Sequence, residues 1–227
     1  MNYLEENIKG ICEKFGLDFI EFMDDMDAEN VSELTIFDIE AIADEYDSDL
    51  YSMLFNRSFT TSHIASKVEN IKLLILDVDG VMTDGGMYFA ESGEQMKKFN
   101  TKDGMAIIHL TRNDFQVAII SSGFKGEAVK KRAEMLGIQN CYVGRDSKLE
   151  VLKNMCNELS ISLDEVAIIG DDINDLEVMR NVGLSFSPKD AVSAVKQQVD
   201  VVLSKRGGEG CVREMIDQFI LKKPLNR

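Results

Sequence analysis

The spacing of apolar positions changes near residue 70. Before it, apolar residues recur every three or four positions: Leu4, Ile8, Ile11 and Phe15, then Phe19, Phe22 and Met23, then Ile36, Ile39, Ile42 and Ala43, then Leu50, Met53 and Leu54. That spacing predicts short amphipathic helices, and so a small all-α unit. Beyond residue 70, short runs of large aliphatics alternate with helical stripes. The runs predict strands at Lys72–Leu76, Val117–Ile120, Cys141–Val143, Val166–Ile169, Leu184–Phe186 and Val201–Leu203. Helical patterns lie at Gly104–Arg112, Glu127–Leu136, Lys148–Leu159, Asn174–Arg180, Ala191–Gln198 and Val212–Leu221. Such alternation predicts an α/β fold with a doubly wound parallel sheet. Between the first strand and its helix, Met87–Phe99 carries β-compatible arms around Glu91-Ser92-Gly93 and predicts a projecting β-hairpin.

Charge divides the chain in the same region. Residues 1–66 hold 16 Asp and Glu against Lys9, Lys14 and Arg57, a balance of −13 out of −15 for all 227 residues. An asymmetry of that size marks two units of different character. Ser58, Thr60, Thr61, Ser62 and Ser66 break the apolar period. The expected organisation is an acidic helical module at 1–56, a linker at 57–70 and an α/β domain at 71–227. No run of about 18 apolar residues occurs, so no membrane span is expected. The opening Met1-Asn2-Tyr3-Leu4-Glu5-Glu6 is acidic where a secretory signal is basic, and a cytoplasmic protein is expected. Cys12, Cys141, Cys156 and Cys211 lack CxxC spacing, which argues against a disulfide framework or a zinc site.

Phe15 to Leu54 weakly resembles the later helices of phage-repressor-type helix-turn-helix domains. The counterpart of the recognition helix, Asp18 to Asp27, carries Asp18, Glu21, Asp24, Asp25 and Asp27 and no Lys or Arg. Phosphate neutralisation dominates DNA affinity, so this face should repel a duplex. Nucleic acid is not expected as a partner. For residues 1–56 a protein-interaction or assembly role is expected instead, beside the plainer reading of a packed helical appendage.

The first strand of the α/β domain ends abruptly in Asp77, Asp79, Gly80, Asp84 and Gly85. Ligands bind at the carboxyl ends of parallel strands. Asp77 and Asp79 are two apart, so continued strand geometry projects both to one side, where they repel unless a cation intervenes. A divalent metal is one reading, and an acidic turn is the other. Three further stretches each follow a strand: Ser121-Ser122-Gly123, Lys148 at the head of a helix, and Gly170-Asp171-Asp172-Ile173-Asn174-Asp175. Singly, Ser121 reads as a cap or turn residue, Lys148 as a solvated charge and the aspartates as a helix-capping loop. In one chain, on one sheet edge, they form a constellation.

That combination resembles the haloacid dehalogenase superfamily of phosphohydrolases, across about 150 residues of this chain. Within it, Asp79–Gly85, Lys102-Asp103-Gly104, Gly170–Leu176 and Gly207–Glu214 are similar to the phosphatases of 3-deoxy-octulosonate 8-phosphate and of nonulosonate 9-phosphates. The resemblance implies that Asp77 attacks phosphorus and that Asp79 serves as general acid and base. It implies a Mg²⁺ held by the side chains of Asp77 and Asp171 and the backbone carbonyl of Asp79, with Ser121 and Lys148 on the phosphoryl oxygens. Asp175 would orient Lys148, Asp172 would sit beside the metal or its waters, and Asp84 would be a supporting residue. Ser122, Gly123, Lys102 and Arg213 are the expected substrate contacts.

Only 41 positions separate Asp79 from Ser121, so no separate cap domain fits. The resemblance then implies a homotetramer in which the hairpins assemble subunits and Gly207–Arg213 closes a pocket; a flexible connector is the plainer reading of those glycines. Two positions depart from the family pattern. Ser121-Ser122-Gly123 stands where many members have Thr-Gly-Arg, and Lys102 where an arginine is common. Lysine does not reproduce a bidentate grip on a carboxylate. His63 and His109 are isolated, and His109 reads as structural. The expectation is a phosphatase of a small sugar-acid phosphate. A catalytically weak regulator or scaffold of the same fold, with the helical module as its interaction unit, is the alternative.

Overall fold

The computed structural model describes residues 3–56, 64–91, 95–123 and 126–221. The chain divides into two compact units, Met1–His63 and Ile64–Arg227.

In the first unit, α1 (Tyr3–Phe15), α2 (Phe19–Asp25), α3 (Ile36–Glu45) and α4 (Leu50–Phe55) bury the stripes noted above. Ile8, Ile11, Met23, Ile39, Ile42 and Met53 form their common core. Side-chain caps start the helices: Asp18 accepts from Ile20 and Glu21, Thr35 and Asp38 form a reciprocal capping box, and Asp49 accepts from Ser52. Buried Asn7 donates to the carbonyls of Met53 and Asn56 at 2.9 and 2.7 Å, which ties α1 to the end of α4. The acidic side chains of Asp18, Glu21, Asp24, Asp25 and Asp27 all face solvent.

In the second unit, α5 (Ile64–Glu69) precedes the sheet. Here the observed boundary differs from the expected one. Residues 64–69, assigned above to a linker, are helical, and Ile64, Val68 and Ile71 join the core of the sheet domain. Serines and threonines had masked an apolar i, i+4, i+7 repeat leading directly into the first strand. Lys67 further pins the helix to Asp200 at 2.5 Å.

The strands β1 (Leu73–Leu76), β4 (Gln116–Ser122), β5 (Asn140–Gly144), β6 (Val166–Ile169), β7 (Leu184–Ser187) and β8 (Val201–Val202) make one sheet in the order β5-β4-β1-β6-β7-β8. All five pairings are parallel. The hairpin is a separate antiparallel pair, β2 (Tyr88–Phe89) with β3 (Gln95–Met96); its tip at Ser92 and Gly93 lies outside the described residues. The remaining helices are α6 (Thr101–Arg112), α7 (Glu127–Leu136), α8 (Lys148–Leu159), α9 (Leu176–Met179), α10 (Ser193–Gln198) and α11 (Cys211–Met215). Helix α6 starts three residues before the pattern indicated, because Asn100 caps it through Lys102 N and its first turn is polar. His109 is half-buried on α6, and His63 lies outside the described residues.

Strand β1 is central and buried along its whole length. Leu74 and Leu76 join a layer with Ile107, Leu110, Val212 and Met215. Leu73 and Ile75 are equally buried and, by the pleat, face the opposite layer. Register places Leu76 beside Ile119 of β4 and Ile169 of β6. The chain therefore leaves all three strands at nearly the same level, which brings Asp77, Ser121 and Asp171 to one edge. All four cysteines are free thiols. Among the described residues no helix is long and apolar enough to cross a membrane.

Candidate active site

Asp77 is the first residue past β1 and is 5% exposed. Lys148, whose side chain is equally buried, reaches it from the first turn of α8: its Nζ lies 2.8 Å from Asp77 Oδ1 and 2.6 Å from Asp175 Oδ1. The second oxygen of Asp175 accepts from the Asp171 backbone N–H at 3.2 Å. Both oxygens of Asp175 are thus engaged, which makes it a brace between the lysine and the loop after β6. Asp77, Asp171 and Asp175 bring carboxylate oxygens within 4.8 Å of one another.

Such crowding has an electrostatic consequence. Burial pushes the Asp77 carboxyl up to about 7, with Lys148 opposing the rise and Asp175 adding to it. Burial also raises Asp171 to about 7, helped by Asp77, Asp175 and Asp172. One ammonium does not neutralise three carboxylates, and the edge of the sheet is a place for a further cation. The chain makes room for the Asp171 carboxylate at Gly80. Its φ is +81°, and a Cβ there would sit 2.0 Å from Asp171 Oδ2.

A cavity of about 230 Å³ opens over these groups, lined by Asp77, Asp79, Gly80, Gly85, Ser121, Ser122, Asp171, Asp172 and Asn174. Ser121 is buried at the end of β4, whereas Ser122 is exposed and accepts a long 3.5 Å contact from Asn174 Nδ2. Asp172 caps the turn Ile173–Asp175. Asp79 is partly exposed; its Oδ1 is ion-paired with Lys97, and Thr83 Oγ1 lies 3.5 Å from the same oxygen. Lys98 pairs with Asp84 at 2.8 Å and holds that carboxyl below its usual range.

Not every expected site residue comes to the cavity. Lys102 is solvent-exposed on the first turn of α6, and Gly123 is not among the lining residues. Arg213 pairs with Asp217 at 2.5 Å, and its backbone N–H donates to buried Asp103 at 2.7 Å, under α6 rather than over the cavity. The glycine run is not a strap over this chain's own site. Gly208 N donates to Val81 O at 2.9 Å, and a Cβ on Gly207 would lie 1.9 Å from Gly80 O. These glycines allow two backbones to touch, and the run supports the loop carrying Asp79 from behind. Burial pushes the neighbouring Asp103 up to about 6. Conversely, the structure brings in Lys97 and Asn174, which the motifs had not singled out. For Lys97 the only signal was a lysine at an inward-facing position of the hairpin's return arm.

Comparison with known proteins identifies the family of this fold. The haloacid dehalogenase-like hydrolase family matches residues 41–215. The 3-deoxy-D-manno-octulosonate 8-phosphate phosphatase of Salmonella typhi is 41% identical over 161 residues, 71% of this chain and 85% of that protein. A solved phosphatase of the same name from Moraxella catarrhalis, in complex with magnesium, phosphate and KDO, superposes with a TM-score of 0.68. It is 32% identical, over 72% of this chain and 93% of that one. The cobalt-bound deoxy-D-mannose-octulosonate 8-phosphate phosphatase of Haemophilus influenzae gives a TM-score of 0.65 at 38% identity, over 68% and 90%. With this order of motifs, this sheet and this level of identity, the chain belongs to the haloacid dehalogenase-like hydrolases and is a phosphatase.

Proposed function

We propose that the enzyme hydrolyses 3-deoxy-octulosonate 8-phosphate or a closely similar nonulosonate 9-phosphate, with Mg²⁺, through a phosphoryl group carried briefly on Asp77. The observation that carries this reading is the buried Asp77 carboxylate, gripped by Lys148 on one oxygen and lining an open polar cavity with Asp171 beside it. The ulosonate substrate is supported by the names of relatives about 40% identical to this chain.

The donor set fits a hard divalent ion. Asp77 and Asp171 supply carboxylate oxygens, Asp79 has a backbone carbonyl in the same turn, and Asp175 is already engaged elsewhere. Mg²⁺ bound there would neutralise charge on the phosphoryl group and keep both carboxyls ionised. The protein's own residues do the rest. A carboxylate oxygen of Asp77 attacks phosphorus as the bond from phosphorus to the sugar oxygen breaks, and Asp79 gives that oxygen its proton. Water then attacks the aspartyl-phosphate, Asp79 takes the proton, and phosphate leaves Asp77 as it was. Ser121 and Lys148 hold phosphoryl oxygens, where charge builds up during transfer.

The exposed side chains of Met87, Tyr88, Phe89 and Met96 support assembly through the hairpin, in our reading as a homotetramer. Four free thiols suit a reducing, cytoplasmic setting. Residues 1–56 are read as a protein-interaction unit, which exposed Phe37, Tyr51 and Phe55 support. Phosphate release from octulosonate 8-phosphate, nonulosonate 9-phosphates and simple sugar phosphates, with Mg²⁺ and with EDTA, tests the reading. Metal-dependent release fastest on an ulosonate phosphate is expected; faster release from the simple sugar phosphates would overturn the substrate assignment.

A further inference from the structure

Lys97 is the only cation paired with Asp79 among the described residues, and it comes from the hairpin rather than from the sheet. Alternation along the return arm explains its position. Met96 and Lys98 face solvent, whereas Lys97 turns inward and its side chain is 11% exposed. An ammonium withdrawn from water needs a hydrogen-bond acceptor, which one carboxyl oxygen supplies whether or not the other carries a proton. Its partner is a single oxygen, Asp79 Oδ1, the one that Thr83 Oγ1 also approaches. Oδ2 takes no hydrogen bond from the described protein, while Asp79 lines the cavity. The two carboxylate oxygens are thus differently employed, one anchored to the hairpin and one open. The next residue, Lys98, fastens the same arm to Asp84 at 2.8 Å, so the arm is held at two successive positions.

We propose that Lys97 is a positioning residue, a hairpin-borne clamp on Asp79 Oδ1 that leaves Oδ2 aimed at the leaving oxygen. This rests on the reading of Asp79 as the proton donor to the leaving group. Lys97 is not among the residues that line the cavity, and it acts through the aspartate alone. A misaimed acid matters most when the leaving group is poor, because a good leaving group departs without a proton.

The test is the leaving-group dependence of kcat in the full-length enzyme with Mg²⁺, over aryl phosphates graded from p-nitrophenyl to phenyl, and on octulosonate 8-phosphate. Lys97→Met should lower kcat by about 10- to 100-fold on the poorest leaving groups and by less than about 3-fold on p-nitrophenyl phosphate. That retained activity reports an intact fold. Lys97→Arg should restore most of the loss. In the Asp79→Asn background, Lys97→Met should have no further effect. An equal loss across the series, a rise in KM alone, or a full additional loss on top of Asp79→Asn would overturn the clamp. Failure on octulosonate 8-phosphate with the aryl series behaving as described would overturn only the substrate assignment. Unchanged leaving-group dependence in Asp79→Asn itself would overturn the acid role and the clamp with it.

Discussion

The ammonium of Lys148 lies 2.8 Å from the carboxylate of Asp77, with 5% and 7% of the two side chains exposed. The residues are 71 positions apart, and the parallel register of β1, β4 and β5 is what joins them. Removing one partner of such a pair strands the other. Lys148→Met should destabilise the fold by about 3–5 kcal/mol at pH 8, and should lower phosphatase turnover by about 10²-fold or more. The stability loss should shrink at pH 5, where Asp77 takes up a proton instead. Denaturant melts at both pH values, set beside turnover, check both effects.

Asp77 and Asp171 are both raised to about 7 from values near 3.8. A carboxyl raised in the fold keeps its proton where the unfolded chain has lost it. Its contribution therefore favours the fold near pH 4 and fades as pH rises through about 7. Without metal, these two groups should make the protein less stable at pH 8 than at pH 5. Mg²⁺ should reverse the trend, raising Tm far more at pH 8 than at pH 5, since it competes with the protons. Thermal melts in Mg²⁺ and in EDTA measure this. Equal Mg²⁺ effects at the two pH values would count against these ligands.

Gly80 separates folding from metal binding. In Gly80→Ala the new Cβ meets the Asp171 carboxylate, which is movable, so the fold should survive with a loss of about 1–3 kcal/mol from the positive φ. Mg²⁺ affinity should fall by about tenfold or more, because the displaced group is an expected ligand. Isothermal titration with Mg²⁺ reads the second effect independently of activity.

The boundary between the units is open to truncation. A chain starting at Ile64 keeps α5, whose Ile64 and Val68 lie in the core of the sheet domain, and should fold and hydrolyse phosphate esters. A chain starting at Ile71 loses both side chains and should melt earlier, each being worth about 1.5–3 kcal/mol of burial. Comparing Tm and turnover of the two shortened chains decides it; equal stability would contradict the placement of α5.

Much of this was legible in the chain because it is local. Aliphatic runs ending in Asp77, Ser121 and Asp171 announce strand ends, and a parallel sheet gathers strand ends at one edge. What could not be read depends on contacts distant in sequence or on ambiguous composition. Lys97 meets Asp79 only because the hairpin folds back over the loop. Gly207 and Gly208 look like a flexible connector, since a glycine needed for close approach and one needed for freedom are the same letter. In this fold they are wedged against Gly80 and Asp84. Arg213, in a motif that suggested substrate, is turned toward Asp217 instead. Helix α5 hid behind serines and threonines whose neighbours, Ile64 and Val68, decided the matter.

Asp77 is the residue proposed to carry the phosphoryl group. Rapid acid quench of the enzyme turning over octulosonate 8-phosphate in Mg²⁺, followed by peptide mass spectrometry, tests it most directly. One phosphoryl group is expected on the peptide bearing Asp77, present during turnover, gone once substrate is exhausted and never formed in Asp77→Asn. Turnover with no phosphoryl group on that peptide, or hydrolysis persisting in Asp77→Asn, would contradict it.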